Sequence, residues 1–240
     1  MKKPKKIIPA KIRSYRRRGI PISGKELIRQ ILEKKERDLS FTVLKRDENG
    51  YCDLTKYKDD YEALNKYLRE QKPDKEHPIL VLNYSKMSGL KADGIYLPFL
   101  LASYANFEFS ILTRANFSGA NMLLTDFEKS NLEQANLENA HLLFTYFYSA
   151  KLTEANLRNA NLFGSNLACA VLSNGDVQGA KFSATNLLDA DLRGVRNLES
   201  AIGLRSALLI DTLLDMSQKA YIQKIIERKP KIYEYISVVR

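Results

Sequence analysis

At 240 residues and 45% hydrophobic content, the chain is long enough for one domain or two small ones and can bury a sizeable core, while no run approaches the ~18 apolar residues that a membrane span needs. The net charge of +10 sits on the flanks: residues 1–104 hold 24 basic and 14 acidic side chains, residues 105–204 hold 7 and 10, and residues 205–240 hold 7 and 4. Two distant cysteines, Cys52 and Cys169, point to free thiols in a reducing compartment, and no apolar h-region follows the basic start, so a cytoplasmic protein is expected.

In chain order, residues 1–19 form a basic tail, expected to be disordered, with Lys2, Lys3, Lys5, Lys6, Lys11, Arg13, Arg16, Arg17 and Arg18. Clustered cations can neutralise the phosphates of nucleic acid or meet anionic lipid, which makes nucleic acid a candidate partner of this tail. A solvated terminus is the alternative. The stretch Gly19–Glu26 comes close to the phosphate-binding GxxxxGK[ST] loop, but Glu26 stands where a hydroxyl would bind Mg²⁺ and Pro21 removes an amide from the cradle. Ser23 or Gly24 is therefore read as the start of a helix.

Residues 20–80 read as a small α/β domain. Leu27, Ile28, Ile31 and Leu32 fall at helical spacing within 25–37, and Tyr61, Leu64, Tyr67 and Leu68 do so within 59–71. "LSFTVLKRD" reads as a strand followed by a turn at Asn49-Gly50, and "HPILVLNYS" as a strand entering the coil.

From residue 105 the chain keeps a five-residue beat. Every fifth residue from Phe107 to Leu192 is apolar, and every residue two before these, from Ala105 to Ala190, is Ala, Ser, Thr or Gly. On an α-helix five residues advance about 140° past a full turn, so the large side chains would scatter around the cylinder. In extended backbone, residues two apart share a face. The next small residue lies three further on, so the chain has to turn a corner once per unit, and Asn, Asp and Gly suit such corners. Units of this kind must coil and stack, with the small residue and the Leu or Phe inside.

The units "ANFSG" (115–119), "ANLEN" (135–139), "ANLRN" (155–159), "ANLFG" (160–164) and "ADLRG" (190–194) resemble the A(D/N)LXX signature of the pentapeptide-repeat family. The resemblance covers residues 105–194. It implies an all-β solenoid, a right-handed quadrilateral β-helix of four units and 20 residues per coil. Ile111, Lys151, Val171 and Lys181 depart from the signature at outward positions. With 80–104 read as an irregular first coil, the β-helix is expected over 81–204, roughly five coils at ~4.8 Å spacing. A C-terminal helical cap is expected over 205–240, from Leu208, Leu209, Leu213, Leu214, Tyr221 and Ile222, because a solenoid end exposes strand edges and core.

Within this pattern "HLLFTYFYSA" (141–150) places large apolar groups at polar positions. Counting in twenties aligns Leu123, Leu143 and Phe163, with Leu124 and Phe144 beside them and Tyr146 and Tyr148 around the next corner. A contiguous outer stripe of this kind marks something that packs on it. The protein's own flanks are the expected cover; a second copy and a foreign partner are the alternatives. No catalytic constellation is evident: His77 and His141 sit in no ligand cluster, and the repeat carboxylates read as solubilising. No cofactor and no metal are expected. The function expected is a non-enzymatic scaffold that binds an unidentified protein partner, or a second copy, through faces of a rigid β-helix. The family resemblance carries a further implication, a rod that imitates acidic DNA and acts on a type II topoisomerase such as gyrase.

Overall fold

The computed structural model describes residues 21–227. Its organising unit is the quintet. In Asn121–Thr125, Asn121 forms a β-bridge, Met122 points inward, Leu123 and Leu124 turn the corner, and Thr125 points inward again. The corner closes with the Thr125 amide donating to the Met122 carbonyl at 3.2 Å, and the second corner residue takes a positive φ, 54° at Leu124. A positive φ once per quintet lets two inward positions, separated alternately by two and three residues, face the same core. All bridges are parallel and join residue n to n+20 through the regular coils, as in Leu101–Asn121–His141–Asn161. Each coil therefore has four walls, which begin in one coil at residues 121, 126, 131 and 136.

The core is a stack of like on like. Phe107, Phe127 and Phe147 lie face to face with centroids 5.2 and 5.3 Å apart, and all three are fully buried. The buried hydroxyls of Thr125, Thr145 and Thr185 donate to carbonyls 23 residues earlier, on Ala102, Met122 and Leu162, at 2.7–2.8 Å, so these polar atoms are not left without a partner. The signature Asn or Asp works outside: its side-chain oxygen accepts the amide two residues on, as Asn116 does from Ser118 and Asn136 from Glu138. Such Asx turns explain that preference without any partner.

Of the stretch 20–80, expected as a small α/β domain, residues 21–80 are instead continuous with the rod. Asp38 bridges Val81, Val43 bridges Lys86, and strand β1 (Cys52–Asp53) pairs in parallel with β2 (Leu90–Lys91). Three walls of an additional coil are thus laid under the first full one. Helix α1 (Gly24–Leu32) and helix α2 (Lys58–Glu70) close the end, with Leu27, Ile31, Leu64 and Leu68 in the same core as Phe107 and Phe117. Ser23 caps α1 by accepting the Glu26 amide, and Gly24 fits tightly against Leu54, where a Cβ would come within 2.7 Å of Cδ2. On the fourth wall α2 takes the place of a strand, and its Asn65 accepts the Tyr96 amide.

The far end differs from expectation in a second way. The coil does not stop at 204: Ile202, Leu208 and Leu213 bridge Lys181, Asn186 and Asp191, with 3₁₀ turns at Leu198–Ser200 and Leu204–Ser206 absorbing the extra residues. Leu204 and Leu209 point inward, so the leucines of 205–214 belong to a coil and not to a helix. Helix α3 (Met216–Glu227) then lies over the end. Its buried Gln218 donates to the carbonyls of Leu192 and Val195 at 2.8 and 3.2 Å and accepts the Asp215 amide.

Candidate interaction surface

The four walls differ in charge because their outward residues differ. Over five coils wall one contains residues 81–84, 101–104, 121–124, 141–144 and 161–164, none of them Asp, Glu, Lys or Arg, and the same ladder carries charge beyond them, at Asp38 below and Lys181 above. Wall two carries Glu108, Asp126 and Glu128 with Lys129. There burial, reinforced by the neighbouring Glu108 and Glu128, pushes the Asp126 carboxyl above its ordinary value. Wall three mixes signs in short pairs: Arg114 meets Asp93, and Arg193 grips Asp191, whose carboxyl is held below the usual range. Wall four sets Arg158 against Asp176 at 3.3 Å.

The sequence-predicted stripe lies mainly on wall one. Leu123, Leu143 and Phe163 share one column of it, and Leu124 and Phe144 share the next. Phe144 and Phe163 meet edge to face at 5.6 Å, and the Phe144 ring lies over Gly164, where a Cβ would come within 2.5 Å of it. Tyr146 and Tyr148 stand on wall two. The described residues do not cover these side chains: Phe144 is 44% exposed, Phe163 42%, Tyr146 46% and Tyr148 38%. The expectation that the flanks pack over the stripe is therefore not met by α1, α2 or α3, which lie at the ends of the rod.

The stripe is also longer than the periodicity of 105–194 reveals. Tyr84 and Tyr104 stack at 4.9 Å directly below Leu124, and Phe41, from the additional coil, stacks on Tyr84 at 5.2 Å. Counting in twenties down from Leu124 reaches Tyr104 and Tyr84. It cannot reach Phe41, because helix α2 is inserted between their two coils. Backbone preference runs against this column. Tyr84, Tyr104, Leu124 and Phe144 all hold φ between 53° and 60°, a region that disfavours bulky residues by roughly 1–2 kcal/mol.

The sequence family described as pentapeptide repeats matches residues 103–139, 125–164, 140–176 and 160–196, in 8 copies. Residues 103–196 are pentapeptide repeats. Among solved structures it is similar to a pentapeptide repeat protein from the thylakoid lumen of Arabidopsis thaliana, with 28% identity over 46% of this chain and 72% of that one, TM-score 0.36. It is also similar to QnrB1, a plasmid-mediated fluoroquinolone resistance protein, with 17% identity over 63% and 87%, TM-score 0.36. A third is HetL, a pentapeptide repeat protein involved in heterocyst differentiation regulation in the cyanobacterium Nostoc sp. strain PCC 7120, with 19% identity over 81% and 94%, TM-score 0.30. No curated protein matches the chain.

Among the described residues the remaining candidates separate by position. His141 is exposed on wall one, Cys169 is a free thiol at a corner of wall two, and Cys52 is buried beneath α1. His77 sits in an exposed loop beside Asp74 at 3.1 Å. Among the described residues, no three His, Cys, Asp or Glu could hold a metal ion, and no helix is long and apolar enough to cross a membrane. Gly19 and the basic residues from Lys2 to Arg18 lie outside the described residues.

Proposed function

We propose that this protein is a non-enzymatic scaffold and that uncharged wall one, with Leu123, Leu124, Leu143, Phe144 and Phe163 at its centre and Tyr146 and Tyr148 at its corner, is the surface it offers to protein partners. One observation carries the reading. Aromatic side chains stand 42–51% exposed along a wall free of Asp, Glu, Lys and Arg over five coils, and the corner column places bulky groups where the backbone favours Gly or Asn. Solubility is served by the other three walls, and neither folding nor solubility calls for a fourth without charge. A continuous exposed apolar surface of this extent fits a binding face, and the regular ladder beneath it gives a rigid support.

The test is site-specific photo-crosslinking in the cells the protein comes from. A benzophenone amino acid replaces Leu143 on wall one or, as the control, Glu154 on wall three. A discrete protein adduct from position 143 and none from position 154 is the expected result. No adduct at 143, or the same adducts at both positions, overturns the assignment.

A further inference from the structure

We infer that wall one pairs with wall one of a second copy, with the two rods antiparallel about a two-fold axis that crosses the wall at Asn121–Leu124. The inference rests on wall one being a contact surface, as proposed above, and names its occupant. One bridge ladder runs up the edge of the wall as Asp38, Val81, Leu101, Asn121, His141, Asn161, Lys181 and Ile202. Of these eight rungs, only two are Asp, Glu, Lys or Arg, Asp38 at the bottom and Lys181 one below the top, and both are exposed. Asn121 lies midway between the two charged rungs, three steps from each, and Ile202 extends one rung beyond Lys181. A two-fold axis lying in the plane of the interface, perpendicular to the rods and level with this middle rung, turns the two walls face to face and inverts the order of rungs between the two copies. Asp38 of one copy then meets Lys181 of the other, twice per dimer.

The corner column obeys the same symmetry in size. Its members are Phe41, Tyr84, Tyr104, Leu124, Phe144, Gly164 and Ala184. Inversion about Leu124 sets Phe41 against Ala184, Tyr84 against Gly164, which the Phe144 ring overlies, and Tyr104 against Phe144, so the rings of one copy face ring surface in the other and Phe41 meets a small residue at the end. A parallel two-fold pairing of the same walls would instead set the bridge column of one copy against the corner column of the other, Asp38 opposite Phe41 and Lys181 opposite Ala184, and would form neither Asp38–Lys181 pair. The area is adequate as well. The four most exposed aromatics of the wall, at about 200 Å² each, offer roughly 350–400 Å², and the half-buried Val81, Leu101, Leu123, Leu124 and Leu143 with the polar rungs bring the wall toward the ~800 Å² per partner of a standard interface.

The experiment is charge exchange read by sedimentation velocity on the full chain over ~1–100 μM, a range that brackets a micromolar dimer. Circular dichroism confirms that each variant is folded; both positions are exposed, so the fold is expected to survive. Wild type is expected to be a dimer. Asp38→Lys alone and Lys181→Asp alone each create two like-charge pairs and should raise the dissociation constant about tenfold or more. The double variant D38K/K181D restores both pairs and should return within about threefold of wild type. A wild-type monomer across the range, singles without effect, or a double variant that fails to recover would each overturn the antiparallel pairing. If the chain is monomeric while position 143 still crosslinks to a foreign protein, self-pairing falls and the scaffold assignment stands.

Discussion

Two phenylalanines three residues apart do opposite things. Phe147 is fully buried and stacked on Phe127 at 5.3 Å, whereas Phe144 is largely exposed at φ 53°. Phe147→Ala should cost about 3–5 kcal/mol by leaving a cavity that a rigid stack cannot collapse. Phe144→Gly gives up an edge-to-face contact worth roughly 0.5–1.5 kcal/mol and relieves a left-handed conformation worth about as much, so denaturant unfolding should place it within ~1 kcal/mol of wild type. A large loss at Phe144 would make it a structural residue. Asp126 offers a residue-scale test in pH. Its folded carboxyl is raised above the ordinary value, mainly by burial, so the charged form opposes folding. The penalty is absent below the unfolded value of ~3.9 and grows as pH rises through the raised folded value. Asp126→Asn keeps an oxygen for the Glu128 amide and should therefore have a higher Tm than wild type at pH 7 and an equal Tm at pH 3.

At the scale of elements, helix α3 is held by one buried side chain as much as by its apolar face. Removing Gln218 takes one of two donors from the Leu192 carbonyl, which keeps the Val195 amide, and leaves the Val195 carbonyl to be satisfied by other groups beneath a helix. The expected cost of Gln218→Ala is about 1–3 kcal/mol, confined to the end of the rod. Hydrogen exchange should accelerate over 213–227 and stay slow at the Phe127 coil; uniform acceleration would show instead that α3 is part of the global unfolding unit. The leucines before this helix illustrate how a pattern can be legible and still misread. Leu204, Leu209 and Leu214 keep the five-residue spacing, and Ala207 and Thr212 stand two residues before the last two. The beat thus resumes after two single-residue insertions, which the bridges record as offsets of 21 and then 22. Helical spacing over the same leucines was the competing period, and it lost because the open edge of the coil below offered backbone partners that a helix would have left unpaired.

For the whole molecule the consequence is continuity. The core runs without a break from Leu27 beneath the first coil to Ile222 above the last, so no boundary separates a terminal domain from a rod. Leu54→Ala in the additional coil and Phe127→Ala in the middle should both lower a single thermal transition. Two resolved transitions, each moved by only one of the substitutions, would restore the two-domain description. Nearest-neighbour stacking of this kind couples a solenoid from end to end as long as no interface along it is weak.

The sequence by itself determined the coil, the identity of the inward residues from Phe107 to Leu192, and the alignment of Leu123, Leu143 and Phe163. All three follow from a period that only one backbone path can satisfy. Only the tertiary structure decided that Leu39, Leu44 and Leu54 lay an additional coil under the first, that Phe41 extends the aromatic column, and that the described flanks leave wall one open. The reason is physical: periodicity fixes which way a side chain points within a repeating path, but an inserted helix of arbitrary length breaks the count. Whether an outward side chain meets water depends on where segments distant in sequence come to rest.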